Sequence, residues 1–132
     1  MNTTITKLLI KLKNASFSQK ESIVVEYSVF TLDIIKLLYK EGFIQSFSIK
    51  LKEKEYQKKY EILISLRYFY NKPTFKYLKI VSSPSYSHNL KIKSISKLST
   101  KKRILVFSTS KGLLNGLECK KQNIGGTLLF IC

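Results

Sequence analysis

The segment Tyr60 to Tyr70 constrains the fold more than any other. Tyr60, Ile62, Ile64, Leu66, Tyr68 and Tyr70 stand at every second position over eleven residues. A period of two puts all six side chains on one side of an extended strand, which then needs a sheet and an apolar cover. Ile44 to Leu51 reads as a second strand, and the charged stretch Lys52 to Lys59 between them as a solvated hairpin loop. Two segments have helical period. Thr3 to Ala15 carries Ile5, Leu8, Leu9 and Leu12, with Lys7, Lys11 and Lys13 opposite; Phe30 to Glu41 carries Ile34, Leu37 and Leu38. Gly42 follows where a left-handed C-terminal cap is wanted. Ser22 to Tyr27, with Ile23, Val24 and Val25, is a short strand. The first half therefore reads α-β-α-β-β. Its start is free of acids before Glu21 and rich in Ser and Thr, which also describes a mitochondrial transit peptide, although the arginines of a presequence are missing.

Asn71-Lys72-Pro73 marks a boundary, so the expected domains are 1–72 and 73–132. Beyond it, Phe75 to Ser82 alternates, Ser82 to Asn89 is a polar loop around Pro84, and Leu90 to Lys93 is a short strand. Lys97 to Arg103 is a basic bridge, and Ile104 to Phe107 an apolar run ending in Ser108-Thr109-Ser110-Lys111-Gly112. Asn115, followed three residues later by Glu118, predicts a helix N-cap with its reciprocal acid, opening a short helix to Gln122. Gly125-Gly126 turns the chain into a last strand, Thr127 to Ile131. The fold class is α+β, with 132 residues enough for a core without disulfides.

Charge narrows the function. Lys and Arg number 24 against 8 Asp and Glu, a net charge of +16. Residues 1–72 carry +6 and residues 73–132 carry +10, with Glu118 the one acid of the second half. A large polyanion is the expected partner, and the second half its main footprint. No apolar run approaches the roughly 18 residues a membrane span needs. Only Arg67 and Arg103 are arginine; the remaining basic residues are Lys, and Ile, Phe and Tyr abound. All of these common residues have A/T-rich codons, the mark of an AT-rich genome such as an organelle's. Lys binds phosphate as a point charge, so backbone contact is favoured over reading of base edges.

Signals for catalysis are poor. Ser108 and Lys111 have the S-x-x-K spacing of serine acyl-enzymes, but the companion S-D-N and K-T-G motifs are missing. No phosphate-loop spacing precedes Gly112. Cys119, Cys132 and His88 have no metal-ligand spacing, and two small apolar side chains in a reducing compartment account for the cysteines. Neither a cofactor nor a small-molecule substrate is expected. As a binding element, Ser108 to Gly112 offers three hydroxyls, an ammonium and a glycine, which suit phosphates and 2′-hydroxyls. An ordinary polar turn explains the same residue types equally well.

The order of these residues resembles the eighth small-subunit ribosomal protein of the bacterial type. Ile104-Leu-Val-Phe-Ser-Thr-Ser-Lys-Gly112 followed by Lys120-Lys-Gln-Asn-Ile-Gly-Gly126 is similar to that family's strand, S-T-S-x-G, short helix and N/G-x-G-G-E. Lys11-Leu-Lys-Asn14 resembles its R-I-R-N, Glu41-Gly-Phe-Ile44 its E-G-F-I, and Val81-Ser82-Ser83-Pro84 its V-S-[RK]-P-G, with ungapped spacing from Pro84 to Cys132. The resemblance implies a non-catalytic protein that binds the central domain of small-subunit rRNA early in assembly, beside neighbouring small-subunit ribosomal proteins. The alternative is a generic basic nucleic-acid-binding protein outside the ribosome. It implies an α-β-α-β-β N-terminal domain, a C-terminal antiparallel sheet with a short helix, and a retained first helix. The rRNA contacts it implies are Ser108, Thr109, Ser110, Lys111 and Gly112, with Asn14 (or a helix C-terminal cap at that position), Lys11, Lys13, Ser82, Ser83, Arg103, Gly125 and Gly126. The two glycines are expected to shape a turn. Thr127 stands in place of the family's Glu, Ser83 in place of a basic residue, Ser85 in place of a Gly, and Lys101 and Arg103 where Gly is preferred. A divergent, organelle-encoded member is expected, in the mitochondrial matrix before the plastid or an AT-rich bacterial cytoplasm.

Overall fold

A computed structural model describes residues 2–82, 88–97 and 103–132. They form two compact units, Lys7–Lys76 and Tyr77–Cys132, the second also including Met1–Thr6. The class is α+β, with antiparallel sheets throughout.

In the first unit the elements run α1 (Asn2–Phe17, in this unit from Lys7 on), β1 (Ser22–Glu26), α2 (Val29–Lys40), β2 (Ile44–Lys54) and β3 (Gln57–Leu66). The sheet order is β1-β3-β2. The alternation puts Ile23, Val25, Ile62, Ile64 and Leu66 in the core, and α2 lies against β2 with the Tyr39 ring edge-on to Phe47 at 5.6 Å. Ser28 caps α2 by accepting from the Thr31 N–H at 3.0 Å. Behind α2, Gly42 at φ +83 lets the Phe43 and Gly42 N–H groups bond back to the Leu38 and Tyr39 carbonyls. The same crossed pair of bonds ends α1 at Gln19. Asn14 is therefore not a C-terminal cap, because α1 continues past it to Phe17.

Two sequence expectations need correction here. Lys52 to Lys59 is not a loop: β2 and β3 stay paired through Lys54–Gln57 and turn over Glu55-Tyr56 alone. Charge marks solvent exposure but not loss of pairing, and β1 stops at Glu26, so the outer ribbon is wet on both faces. Nor does one strand run from Tyr60 to Tyr70. β3 ends at Leu66, and β4 (Tyr68–Phe69) folds back onto β5 (Lys72–Pro73). Pro73, which has no N–H to give a ladder, sits on this short outlying hairpin.

The second unit contains β6 (Lys79–Ile80), β7 (His88–Leu90), α3 (Ile92–Lys97), β8 (Leu105–Thr109), β9 (Gly112–Asn115), α4 (Gly116–Gln122) and β10 (Gly126–Ile131). The order is β6-β10-β8-β9, and β7 also pairs with β10 beside β6. Ile95, Leu105, Phe107, Cys119 and Leu128 form the core of this unit. Both cysteines are buried and free, and burial raises their pKa, Cys132 to about 12. The Asn115–Glu118 capping box is present with both of its bonds, 2.8 and 3.2 Å.

The alternating stretch from Phe75 is mostly turn, with only Lys79–Ile80 paired. Phe75 and Leu78 are buried without being in a strand, so alternation over a few residues misread a turn. Leu90 to Lys93 is likewise not a strand, since β7 takes His88 and Asn89 from the expected loop and ends at Leu90, and α3 starts at Ile92. A one-and-a-half-turn helix that buries only Ile95 leaves no periodicity to read. The expected loop residues 83–87 and most of the basic bridge, 98–102, lie outside the described residues, and Ser83, Ser85 and Lys101 with them.

Candidate nucleic-acid interface

Where the apolar run ends at Ser108 to Gly112, the chain doubles back at once. β8 turns over Ser110-Lys111 and returns as β9, with Thr109 opposite Gly112. Two local causes make this turn. Gly112 adopts φ +101, which L side chains rarely reach. Thr109 Oγ1 donates to the Gly112 carbonyl at 2.8 Å and accepts from the Lys111 N–H at 3.2 Å. Thr109 thus holds the turn closed, while Ser110 and Lys111 stand exposed at its tip.

The base of the hairpin is set by Gly126. A Cβ there would lie 2.6 Å from the Ser108 carbonyl oxygen and 2.8 Å from Thr109 Cγ2; one on Gly125 would lie 2.8 Å from the Leu90 carbonyl oxygen. Neither glycine has positive φ. They are required by close approach of β10 to β8 and β7 rather than by a turn.

Register adds residues that the motif did not reveal. Thr127 is opposite Ser108 on one side and Asn89 on the other, and directly opposed residues of antiparallel strands share a face. Thr127 Oγ1 donates to Asn89 Oδ1 at 2.5 Å. Asn89, Thr127 and Ser108 therefore make a polar row across three strands, ending at the hairpin. Thr127 drew attention only as a departure from a family Glu, and Asn89 gave no signal, because cross-strand register is not written in either strand.

The remaining candidates are separate from this hairpin. Ser82 is buried; its hydroxyl donates to the Leu128 carbonyl and accepts from the His88 N–H at 3.4 Å. With the Val81 and Ser82 N–H groups both donating to the Leu129 carbonyl at the β10 bulge, it ties β6 and β7 to one strand. Arg103 is exposed, its guanidinium 5.7 Å from the centre of the Tyr77 ring. Ser83 lies outside the described residues.

In the first unit, Lys11 and Asn14 are exposed on α1 and Lys13 is half-buried. Lys11 Nζ donates to the Val24 carbonyl on the free edge of β1 at 2.6 Å. Lys11 and Asn14, with Lys7, Ile10 and Lys20 but without Lys13, line an open cleft of about 400 Å³ between α1 and β1.

Chemically, the β8–β9 tip can donate hydrogen bonds and one positive charge to an anionic surface. The S-x-x-K pair is not drawn together, since Ser108 faces Thr127 and Leu113 in the sheet while Lys111 stands in water at the turn.

Fold and site together define a small basic α+β protein with an exposed, hydroxyl-bearing hairpin. The chain belongs to the ribosomal protein S8 family, whose model matches residues 3–132. It is similar to small ribosomal subunit protein uS8c of Bigelowiella natans, 33% identical over 98% of each chain. It is also similar to uS8 of Phytoplasma mali, 32% identical over 98% of this chain and 95% of the relative. A third relative, uS8m of Acanthamoeba castellanii, is 35% identical over 81% of this chain and 80% of its own.

Proposed function

We propose that this protein is a non-catalytic constituent of the small ribosomal subunit that binds the central domain of its rRNA and supports assembly there. The observation that carries this reading is the β8–β9 turn, with Ser110 and Lys111 exposed over a base that Thr109, Gly112 and Gly126 hold in place. A fixed turn loses little entropy when its donors meet phosphates and 2′-hydroxyls. The Ser108-Thr127-Asn89 row extends the contact, and the cleft at Lys7, Lys11, Asn14 and Lys20 gives a second phosphate-binding surface. In this reading the domains 1–72 and 73–132 divide the work, the second carrying the larger positive charge. Neighbouring small-subunit proteins complete the environment, and no cofactor or small-molecule substrate takes part.

The compartment proposed is the mitochondrial matrix. AT-biased composition supports it, as does the relative whose name, uS8m, marks it as mitochondrial, beside plastid and bacterial relatives at comparable identity.

The test is binding of purified protein to a central-domain fragment of small-subunit rRNA and to a random duplex of equal length over a salt series. Preference for the fragment at every salt concentration is expected, with affinity falling steeply as salt rises. Equal binding to both RNAs would leave only a generic basic protein.

A further inference from the structure

The hairpin β4–β5 carries a surface that the β8–β9 reading does not use. Its two turn residues, Tyr70 and Asn71, have φ +50 and +60, the left-handed pair that a two-residue mirror-image turn demands. Asn tolerates that conformation; a bulky aromatic residue does so only at a cost. Tyr70 gains nothing from folding in return, being 97% exposed. Beside it the Arg67 guanidinium lies 4.6 Å from the centre of the half-exposed Phe69 ring, and Lys72 stands directly opposite Phe69 in the register.

Three side chains tie down the base of this finger. Tyr68 Oη donates to the Lys20 carbonyl at 2.6 Å, Thr74 Oγ1 reaches the Arg67 and Phe43 carbonyls at 3.0 and 3.3 Å, and Arg67 Nη1 reaches the Gly42 carbonyl at 3.3 Å. A strained, solvent-facing ring on an anchored stem, with a guanidinium stacked on the next ring and an ammonium alongside, is a platform for a flat anionic ligand. We infer that Tyr70, Phe69 and Arg67 stack an unpaired base of RNA whose phosphate meets Lys72. This rests on the protein being an RNA binder and adds a second, single-strand contact on the first unit. Charge selects RNA over a protein groove as the occupant, because the finger presents two cations beside its rings and the chain as a whole carries +16.

The test compares the intact parent chain with Tyr70→Gly and Tyr70→Phe on a short single-stranded oligoadenylate and on a duplex of the same length. Glycine removes the ring and relieves the left-handed strain, so Tyr70→Gly is expected to melt at the same or a higher temperature. Its affinity for the single strand falls by about tenfold while the duplex is unaffected, and Tyr70→Phe binds as the parent does. Unchanged single-strand affinity overturns the inference. So does equal weakening of both ligands, and so does loss of incorporation into ribosomes with RNA binding intact, which would make the finger a protein contact. Preference of the parent for central-domain RNA is a separate measurement that does not involve Tyr70, so failure of that reading is distinguishable from failure of this one.

Discussion

Replacing Gly126 by Ala tests how the β8–β9 hairpin is held. The added methyl would stand 2.6 Å from the Ser108 carbonyl oxygen and 2.8 Å from Thr109 Cγ2, against ordinary contact from 3.4 Å. The Ser108 backbone must therefore retreat by about 0.8 Å, or β10 must, at the point where Thr127 and Ser108 are paired. The closer of the two atoms is backbone, so turning the Thr109 methyl aside does not absorb the shift. Forced overpacking of this kind costs roughly 1–3 kcal/mol. At about 4 °C per kcal/mol for a chain of this size, the midpoint should fall by about 4–12 °C. Gly112 provides the contrast: nothing lies within 4 Å of a Cβ there, but its φ is +101. Gly112→Ala pays for backbone strain alone, about 1–2 kcal/mol, and unbranched aliphatic side chains there should cost about as much as Ala, since no neighbour stands in their way. At position 126 the loss should grow from Ala to Val. Thermal unfolding followed by circular dichroism reads both series. A Gly126→Ala midpoint within about 1 °C of the parent, or a flat size series at 126, would refute the close approach and with it the account of how the hairpin is held.

Lys111→Ala should weaken rRNA binding uniformly across sequences and lower the slope of log K against log salt by about 1, measured by filter binding. Asn115→Ala removes one half of the capping box and should cost about 1 kcal/mol in denaturant unfolding, with Asn115→Asp nearly neutral. Cys119 and Cys132 should resist a thiol reagent in the folded protein at mildly alkaline pH and react fully in denaturant. Burial raises the Cys132 pKa from 9.0 to about 12, so the unfolded chain ionises first. The stability this thiol contributes is complete below pH 9 and is lost as pH climbs toward 12. A Cys132→Val variant should lack that part of the alkaline decline.

Periodicity and caps were enough to place α1, β1, α2 and α4, because their signals are local: apolar residues at helical spacing, the capping box at Asn115 and Glu118, and a glycine after α2. The motif Ser108 to Gly112 was also legible, as was the positive charge of the second half. Short-range alternation failed after Phe75. Phe75 and Leu78 are buried outside any strand, and α3 hides behind a single Ile95. What the motif does was decided by pairing. That Ser82 serves the sheet, and that Asn89, Thr127 and Ser108 form one row, follows from which strands lie side by side. Local sequence sets backbone preference and which side of an element is apolar. Register depends on residues far apart in the chain meeting at one distance, and only the folded molecule supplies that distance.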